Sequence, residues 1–530
     1  MSSADAQPAT TSPKLNGPTA DVAAGKRRVK TDSLATSLIF LFGLSAVQPL
    51  VSFGRGVLFC RALSPADLGA WDMALSFLML AGTVVVFGIP GSFGRYVEHY
   101  TQRGQLAMFL RRTTWTCTAL TALAMVLLAT MAPLFSEIIF GRADRTMWVY
   151  CVAAGLGALI AHGFVVELLT AMRLFRVVSG LQLLKAVSFV ILSLVLLISW
   201  EGGPASVILG HTAASVLAIA VSLYWLLPAW RAASDPTTSS TDIDATIIEE
   251  PAPTATQFWV KLMPFALWVW IANFLSHLFE LIDRYMIVHY SGMPNDVALT
   301  QVGHYHSSRI VPLLFISFAG MLSGILLPHM TKDWERGRRD QVSDGLNLAV
   351  KILGLALTAG SVTVLAIAPQ LFQYGFGGRY DGGLAVLPWT LAYCVWFGIF
   401  LIGDLYICCA ERVRLVSLAL FIGLLANVFF NLALLPDFGL QGAVWATAIS
   451  KFVVLITTFL FARGLGMKFH RGVWFITLLP LAICLGAFPA AAILFVTLAA
   501  IVGTDAILTN EEKTRLIDLA QPVLARLSGR

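Results

Sequence analysis

Asn273, His277, Glu280 and Arg284 stand four, three and four residues apart within an apolar run, a spacing that puts them on one helical face. Asp283 adjoins Arg284. A charge at mid-membrane costs about 2.5–3.5 kcal/mol on insertion scales, so each one needs a partner, water or a function. The stripe predicts a wet cavity, with Asn273 and His277 as substrate contacts; for Glu280 and Asp283 two readings stand, neutralisation of Arg284 or coupling to a cation. Lys451 sits mid-span with Thr447 and Thr458 on its face and no carboxylate within a turn, which predicts a cavity contact. Arg55 and Arg309 lie nearer the outer ends of their spans and either reach substrate or snorkel to the headgroups. Glu167 and Asp404, near inner helix ends, read as proton or sodium sites, or as partners of Arg173 and Arg412. Lys185 and Lys351 read as snorkelling residues, and His162 and His211 as packed histidines. The cavity charge is net positive, which suits an anion such as a pyrophosphate or an acidic sugar.

The elements that must hold these residues are membrane helices. Of 530 residues, 57% are hydrophobic and 12% charged, with a mean hydropathy of +0.78; a soluble chain carries roughly 25% charged residues. Apolar runs of a length to cross a bilayer recur at 34–57, 68–89, 113–134, 148–170, 178–199, 205–228, 262–286, 306–328, 346–368, 385–409, 414–435 and 440–462. The stretch 473–504, with Pro489 and Gly486 inside it, predicts two short helices, with one long tilted helix as the alternative. The expectation is an all-α membrane protein of about 14 transmembrane helices. Its divisions are a disordered cytoplasmic tail (1–32), a six-helix lobe (33–230), a disordered cytoplasmic linker (231–257), a second six-helix lobe (258–464), helices 13 and 14 (465–505) and a cytoplasmic amphipathic helix (506–530). Thr509 and Glu512 have the spacing of a capping box for that last helix.

Charge placement supports an even helix count. With a cytoplasmic start, inside segments carry 26 of the 36 Lys and Arg residues, and outside loops carry Arg61, Arg142, Arg145 and Arg379. The net charge of +6 is spread over helix ends, which indicates topology signals and no nucleic-acid partner. The seven cysteines lack metal-binding spacing and read as small apolar residues. No phosphate-binding G-x-x-x-x-G-K-[ST] run and no H-E-x-x-H occurs, so ATP hydrolysis and zinc proteolysis are not expected, and neither metal nor cofactor is called for. The outer loops are all short, which argues against a membrane glycosyltransferase or polymerase.

The two lobes echo one another. Ala132-Pro133-Leu134-Phe135 followed by Phe140-Gly141-Arg142 recurs as Ala368-Pro369-Gln370-Leu371-Phe372 followed by Phe376-Gly377-Gly378-Arg379. Arg55 corresponds to Arg284, and Val178-Ser179 to Val416-Ser417. Six helices per repeat make the lobes parallel, facing one another around a central cavity that can alternate access by rocking.

Four motifs carry a family resemblance: Arg61-Ala-Leu-Ser-Pro-Ala-Asp-Leu-Gly69 after the first helix; Asp283-Arg284-Tyr285 with Val302-Gly303-His304-Tyr305; Phe376-Gly377-Gly378-Arg379-Tyr380; and Asn427 and Asn431 with Gly439-Leu440-Gln441-Gly442-Ala443. Over residues 34–505 the chain resembles the polysaccharide flippases of the multidrug/oligosaccharidyl-lipid/polysaccharide superfamily, with Ser64 where that family usually has Gly. The resemblance implies transfer of a polyprenyl-pyrophosphate-linked oligosaccharide from the inner to the outer leaflet of the plasma (inner) membrane, for O-antigen, capsule or exopolysaccharide assembly. It implies polymerase or export machinery as partners and both termini in the cytoplasm. Arg284 matches a family motif position, and the internal repeat supports Arg55, so both are expected to meet the pyrophosphate. Two other transporters compete: a cation-coupled multidrug antiporter of the same superfamily, which needs acids to dominate its cavity, and a major-facilitator transporter, whose loop pattern the segment Gly94–Gly104 does not fit.

Overall fold

The computed structural model describes residues 34–200, 202–234 and 254–514. The tail expected at 1–32, most of the linker at 231–257 and most of the surface helix at 506–530 lie outside these residues.

Among the described residues every regular element is helical. The first part comprises α1 (Leu34–Ala62), α2 (Pro65–Val86), α3 (Phe93–Gln102), α4 (Leu106–Thr130), α5 (Ala132–Phe140), α6 (Thr146–Ala171), α7 (Phe175–Trp200) and α8 (Pro204–Ser234). The second comprises α9 (Ala255–Tyr290), α10 (Asn295–Arg309), α11 (Pro312–Glu335), α12 (Arg339–Gln370), α13 (Asp381–Gly403), α14 (Leu405–Cys409), α15 (Arg414–Gly464), α16 (Arg471–Leu478) and α17 (Ala487–Gly503). Nine of these are long and apolar enough to cross a membrane, ten with α9, which bends by 45° beside Pro264.

The expected spans map onto these helices with three differences. The loop after α2 folds into α3, whose period sets Phe93, Tyr96, Val97 and Tyr100 against the core. The span expected at 306–328 is two helices, parted at Ile310-Val311 ahead of Pro312, so Arg309 closes α10 and does not open a span. The spans at 414–435 and 440–462 run together as α15, two helices meeting at a kink at Gly439. The Gly439 backbone (φ 54°, ψ −133°) is open only to glycine, and a Cβ on Gly442 would strike the Leu434 carbonyl across the bend. The last apolar stretch is two short pieces, 471–485 and 487–503, pivoting at Gly486 (φ 101°). The count of fourteen stays an expectation.

α7 packs on α1 and α8, and α6 on α4 and α8; α13 packs on α11, α12 and α15, and α15 on α9. The parts meet chiefly where α2 lies against α10. Gly69 faces the Leu299 carbonyl and Gly303 the Pro65 carbonyl, so closely that a Cβ on either would clash with backbone. Small residues permit such approach where helices pack within lipid.

At this end, the one the charge bias leads one to expect outside, the motif residues fasten one part to the other. Arg61 donates from Nε to the Gly375 carbonyl (2.8 Å) and from its fork to the Tyr374 carbonyl. Arg379 returns to the Cys60 (3.2 Å) and Arg61 (2.5 Å) carbonyls, and the Tyr380 hydroxyl donates to the Leu63 carbonyl (3.1 Å). Ser64, the residue that departs from the family pattern, caps α2 through the Asp67 amide (3.2 Å). The internal repeat is structural as well: Gly141 (φ 71°) and Gly377 (φ 78°) both follow fully buried phenylalanines, Phe140 and Phe376. At the opposite end α9 leans on α3, with the Tyr96 hydroxyl donating to the Lys261 carbonyl (3.0 Å).

Lys351 does not snorkel. Its ammonium, in α12, is buried against both Glu512 carboxylate oxygens at 2.8 Å. The capping box forms as the spacing predicts: the Glu512 amide donates to Thr509 Oγ1 (3.3 Å) and the Thr509 amide to Glu512 Oε2 (2.9 Å). Burial pushes the Glu512 carboxyl up, but Lys351, the Thr509 amide and His470 together outweigh it and hold the group below the usual carboxylate range. Because the folded value is the lower one, the stabilisation is fully present above the unfolded value of about 4.3 and is lost as pH falls through the folded value. Glu512→Ala is expected to leave an unmatched buried ammonium and destabilise the fold by about 3–5 kcal/mol. Adding Lys351→Met should recover most of that loss in thermal melts in detergent, whereas additive losses would show that the two groups act apart.

Candidate functional site

Five of the ten site residues named from sequence converge where α9, α10 and α15 meet α2. Arg284 pairs through Nε with Asp72 of α2, and its other arm donates to the Glu280 carbonyl one turn back. His306 Nδ1 stands 2.8 Å from the second Asp72 oxygen. Arg309 pairs with Glu280, whose side chain is 43% exposed. The Asp283 carboxylate accepts from Asn427 Nδ2 (2.7 Å), Asn431 Nδ2 (3.1 Å) and the Thr447 hydroxyl (2.7 Å), and more weakly from Tyr305 (3.4 Å). Lys451 is buried with its ammonium 3.9 Å from the Phe279 ring centre and 4.2 Å from that of Phe397; aromatic faces attract a cation where water is scarce. Three cations thus face three carboxylates, and the cluster is close to neutral.

Sequence reasoning missed Asp72. Arg284 takes its counter-ion from another helix, not from Glu280 or Asp283 beside it. The signal was present: Asp72 is the one acid within the expected second span, 68–89, and it is 3% exposed. Also missed were Tyr305 and Tyr393, which share a hydrogen bond of 3.2 Å beneath the cluster. The family motifs, read only as identifiers, supply the fastening between the two parts and the Asp283 cradle.

The other five stand apart. Asn273 and His277 line a cavity of about 410 Å³ between α2, α6 and α9, and Glu167 lines it too. Arg55 lines a different cavity of about 440 Å³ between α1, α2, α10 and α11, with Trp71 and His306 on its walls. Its guanidinium lies over Phe189, 4.9 Å from the ring centre. Asp404 sits between α13 and α14. Among the described residues no ion pair joins Glu167 to Arg173 or Asp404 to Arg412, and no three His, Cys, Asp or Glu side chains converge as a metal site.

The model of a family described as polysaccharide biosynthesis protein matches residues 34–334, which is more than half of the chain. The chain belongs to the polysaccharide biosynthesis protein family. This family member is 21% identical over 459 residues to an uncharacterized membrane protein of Methanocaldococcus jannaschii, covering 83% of the one chain and 85% of the other. Its fold is that of the lipid II flippase MurJ in an inward closed conformation, with a TM-score of 0.64, 14% identity, and coverage of 88% of this chain and 98% of that one. It is also similar to an inward-facing multidrug resistance MATE family transporter of the MOP superfamily, with a TM-score of 0.59, 12% identity, and coverage of 81% and 97%. The MATE outward-facing form matches at 0.52, with 14% identity and coverage of 81% and 94%.

For this polysaccharide biosynthesis protein, breaking the Asp72–Arg284 pair from one side leaves a charge unmatched in a dry interior. Asp72→Leu is expected to cost about 3–5 kcal/mol, and Asp72→Leu with Arg284→Met distinctly less. Unfolding followed by denaturant in detergent would check the order; equal costs would show that the pair carries no mutual dependence.

Proposed function

We propose that the chain carries a polyprenyl-pyrophosphate-linked oligosaccharide from the inner to the outer leaflet of the plasma membrane, by alternating access and without ATP, for assembly of O-antigen, capsule or exopolysaccharide. The observation that carries this reading is Arg55, a cation with no acidic partner among the described residues, on the wall of a cavity that residues of α2 and α10 also line. An anionic head enters such a cavity from the cytoplasmic side while its lipid tail stays in the bilayer. Arg284, Arg309 and Lys451 are held in reserve by Asp72, Glu280 and Asp283 and meet the head as the two six-helix lobes rock apart; Asn273 and His277 offer it polar contacts. Family membership favours a sugar-bearing substrate, and the MurJ-like fold a lipid-linked one. An anion moving outward from a negative interior gains about 2.3 kcal/mol per charge per 100 mV.

Glu280, Asp283, Glu167 and Asp404 are the groups through which a proton or sodium ion would couple to transfer. Asp283 is the best placed, because Asn431 Oδ1 beside it is buried without a hydrogen-bond partner. The multidrug antiporter stays the second reading.

In vesicles carrying a labelled polyprenyl-pyrophosphate oligosaccharide, wild type should expose the sugar to an outer-leaflet probe. Arg55→Gln removes a charge-assisted contact worth roughly 1.5–3 kcal/mol and should slow transfer about ten- to a hundredfold. Expulsion of an organic cation down a proton or sodium gradient, with no movement of lipid-linked sugar, would overturn the proposal in favour of the antiporter.

A further inference from the structure

The cavity of about 410 Å³ between α2, α6 and α9 stands apart from the charge cluster, toward the end opposite the fastening, where α2 stops at Val86. Its volume falls within the range of about 300–1,000 Å³ usual for small-ligand clefts. Most of the wall is apolar, but four side chains bring polar groups to it: Thr83 from α2, Glu167 from α6, and Asn273 and His277 from α9. The Thr83 hydroxyl donates to the Met79 carbonyl (3.0 Å) and keeps its lone pairs open. Among the described residues none of Glu167, Asn273 and His277 is held by a hydrogen bond or an ion pair. No lysine or arginine lines the space.

A glycine in this wall shows that the space is kept open. Gly163 lines the cavity from the interior of α6, one turn before Glu167 and on the same face. A glycine inside a helix weakens it relative to alanine, so its presence needs a reason. At Gly157 on the same helix, packing supplies one: a Cβ there would come within 2.8 Å of Met125 Sδ. At Gly163 a Cβ would meet nothing within 4 Å. The missing side chain makes room and no contact, and the room lies beside the Glu167 carboxylate. Phe164 adds an aromatic ring to the wall, held edge-on by Phe93 at 5.0 Å.

We propose that this cavity is a subsite for an uncharged sugar ring. A pyranose presents neighbouring hydroxyls that each donate and accept, and C–H faces that are apolar. The Glu167 carboxylate accepts two hydroxyls side by side, the Asn273 amide donates and accepts, and the His277 imidazole does either according to its tautomer. The C–H face lies against Phe164 and the aliphatic wall, and the gap at Gly163 admits the ring between them. A phosphate does not suit the same space, because the one carboxylate on the wall repels it and no lysine or arginine offsets that repulsion. For its physiological ligand the subsite rests on the transport reading, to which it adds that a sugar is gripped apart from the pyrophosphate and by its hydroxyl pattern. It assigns Glu167 to hydroxyls and leaves ion coupling to the acids of the second part.

The test uses the full chain in lipid nanodiscs and saturation-transfer NMR, with methyl glucoside, methyl galactoside and N-acetylglucosamine as sugar probes and benzyltrimethylammonium as an organic cation. Wild type should bind at least one of the sugars. Gly163→Leu fills the gap and should weaken that binding at least about tenfold, yet melt no lower than wild type, since leucine favours a helix. Glu167→Leu should also lose about tenfold, whereas Glu167→Gln, which still accepts a hydroxyl, should stay within about threefold of wild type. Should Gly163→Leu not fold, the contrast between Glu167→Leu and Glu167→Gln carries the same decision. Failure of wild type to bind any of the sugars would overturn the subsite, and so would wild-type sugar affinity in Gly163→Leu or in Glu167→Leu. Binding of the ammonium in place of the sugars, abolished in Glu167→Gln, would overturn it in favour of a cation site. Transport separates the two proposals. If sugars bind through these residues but vesicles move no lipid-linked sugar, the subsite stands and the flippase reading falls; if lipid-linked sugar moves at the wild-type rate in both leucine variants with sugar affinity unchanged, the reverse holds.

Discussion

A charge in the interior of a membrane protein must be matched, and the Asp72–Arg284 pair is where this chain meets that demand across its two parts. Asp72 belongs to α2 and Arg284 to α9, 212 residues apart. Their meeting requires α2 to press against α9 and α10, which Gly69 and Gly303 allow by bringing backbone to backbone. The same approach carries Arg61 to the Gly375 turn and Tyr380 to Leu63. The outer closure, the buried pair and the family motifs are therefore one construction seen at three depths.

What each part does with its remaining charge follows from how many acids it owns. The second part spends Glu280 and Asp283 on neutrality and surrounds Asp283 with Asn427, Asn431 and Thr447. Among the described residues, Arg55 and Lys185 of the first part have no acidic partner. On the proposed transport reading, this asymmetric charge balance would give the cavity a direction: an anion would be drawn first to one wall, while ion pairs on the other hold the closed arrangement until something competes for their members.

The fold class and most helix positions were legible because hydrophobic runs of spanning length leave few alternatives in a bilayer. Arg284, Arg309, Glu280, Asp283 and Lys451 were legible one by one as candidate site residues because each is a charge in apolar sequence, but their convergence was not. Their partners were not, since pairing between helices leaves no periodic trace in the chain. Arg284 was weighed against the acids beside it, when its counter-ion stood on α2. Lys351 read as a snorkelling residue for the same reason, its acid lying far along the chain. The α10–α11 break and the amphipathic α3 escaped because polarity there resembles that of a loop. Asn273 and His277 share a face with Glu280 as their spacing required, but they line another cavity, with residues of α2 and α6 on its walls.

The Lys351–Glu512 contact has a meaning for how the chain is made. The two residues are 161 positions apart, so the carboxylate is synthesised well after the lysine it matches. At the usual pace of about 5–20 residues per second, α12 waits some 8–30 s in the membrane with its lysine unmatched. During that interval the helix can be stabilised only by water, by lipid phosphates or by an insertion chaperone, so a chain stopped short of Glu512 would display to quality-control proteases a helix that never settles.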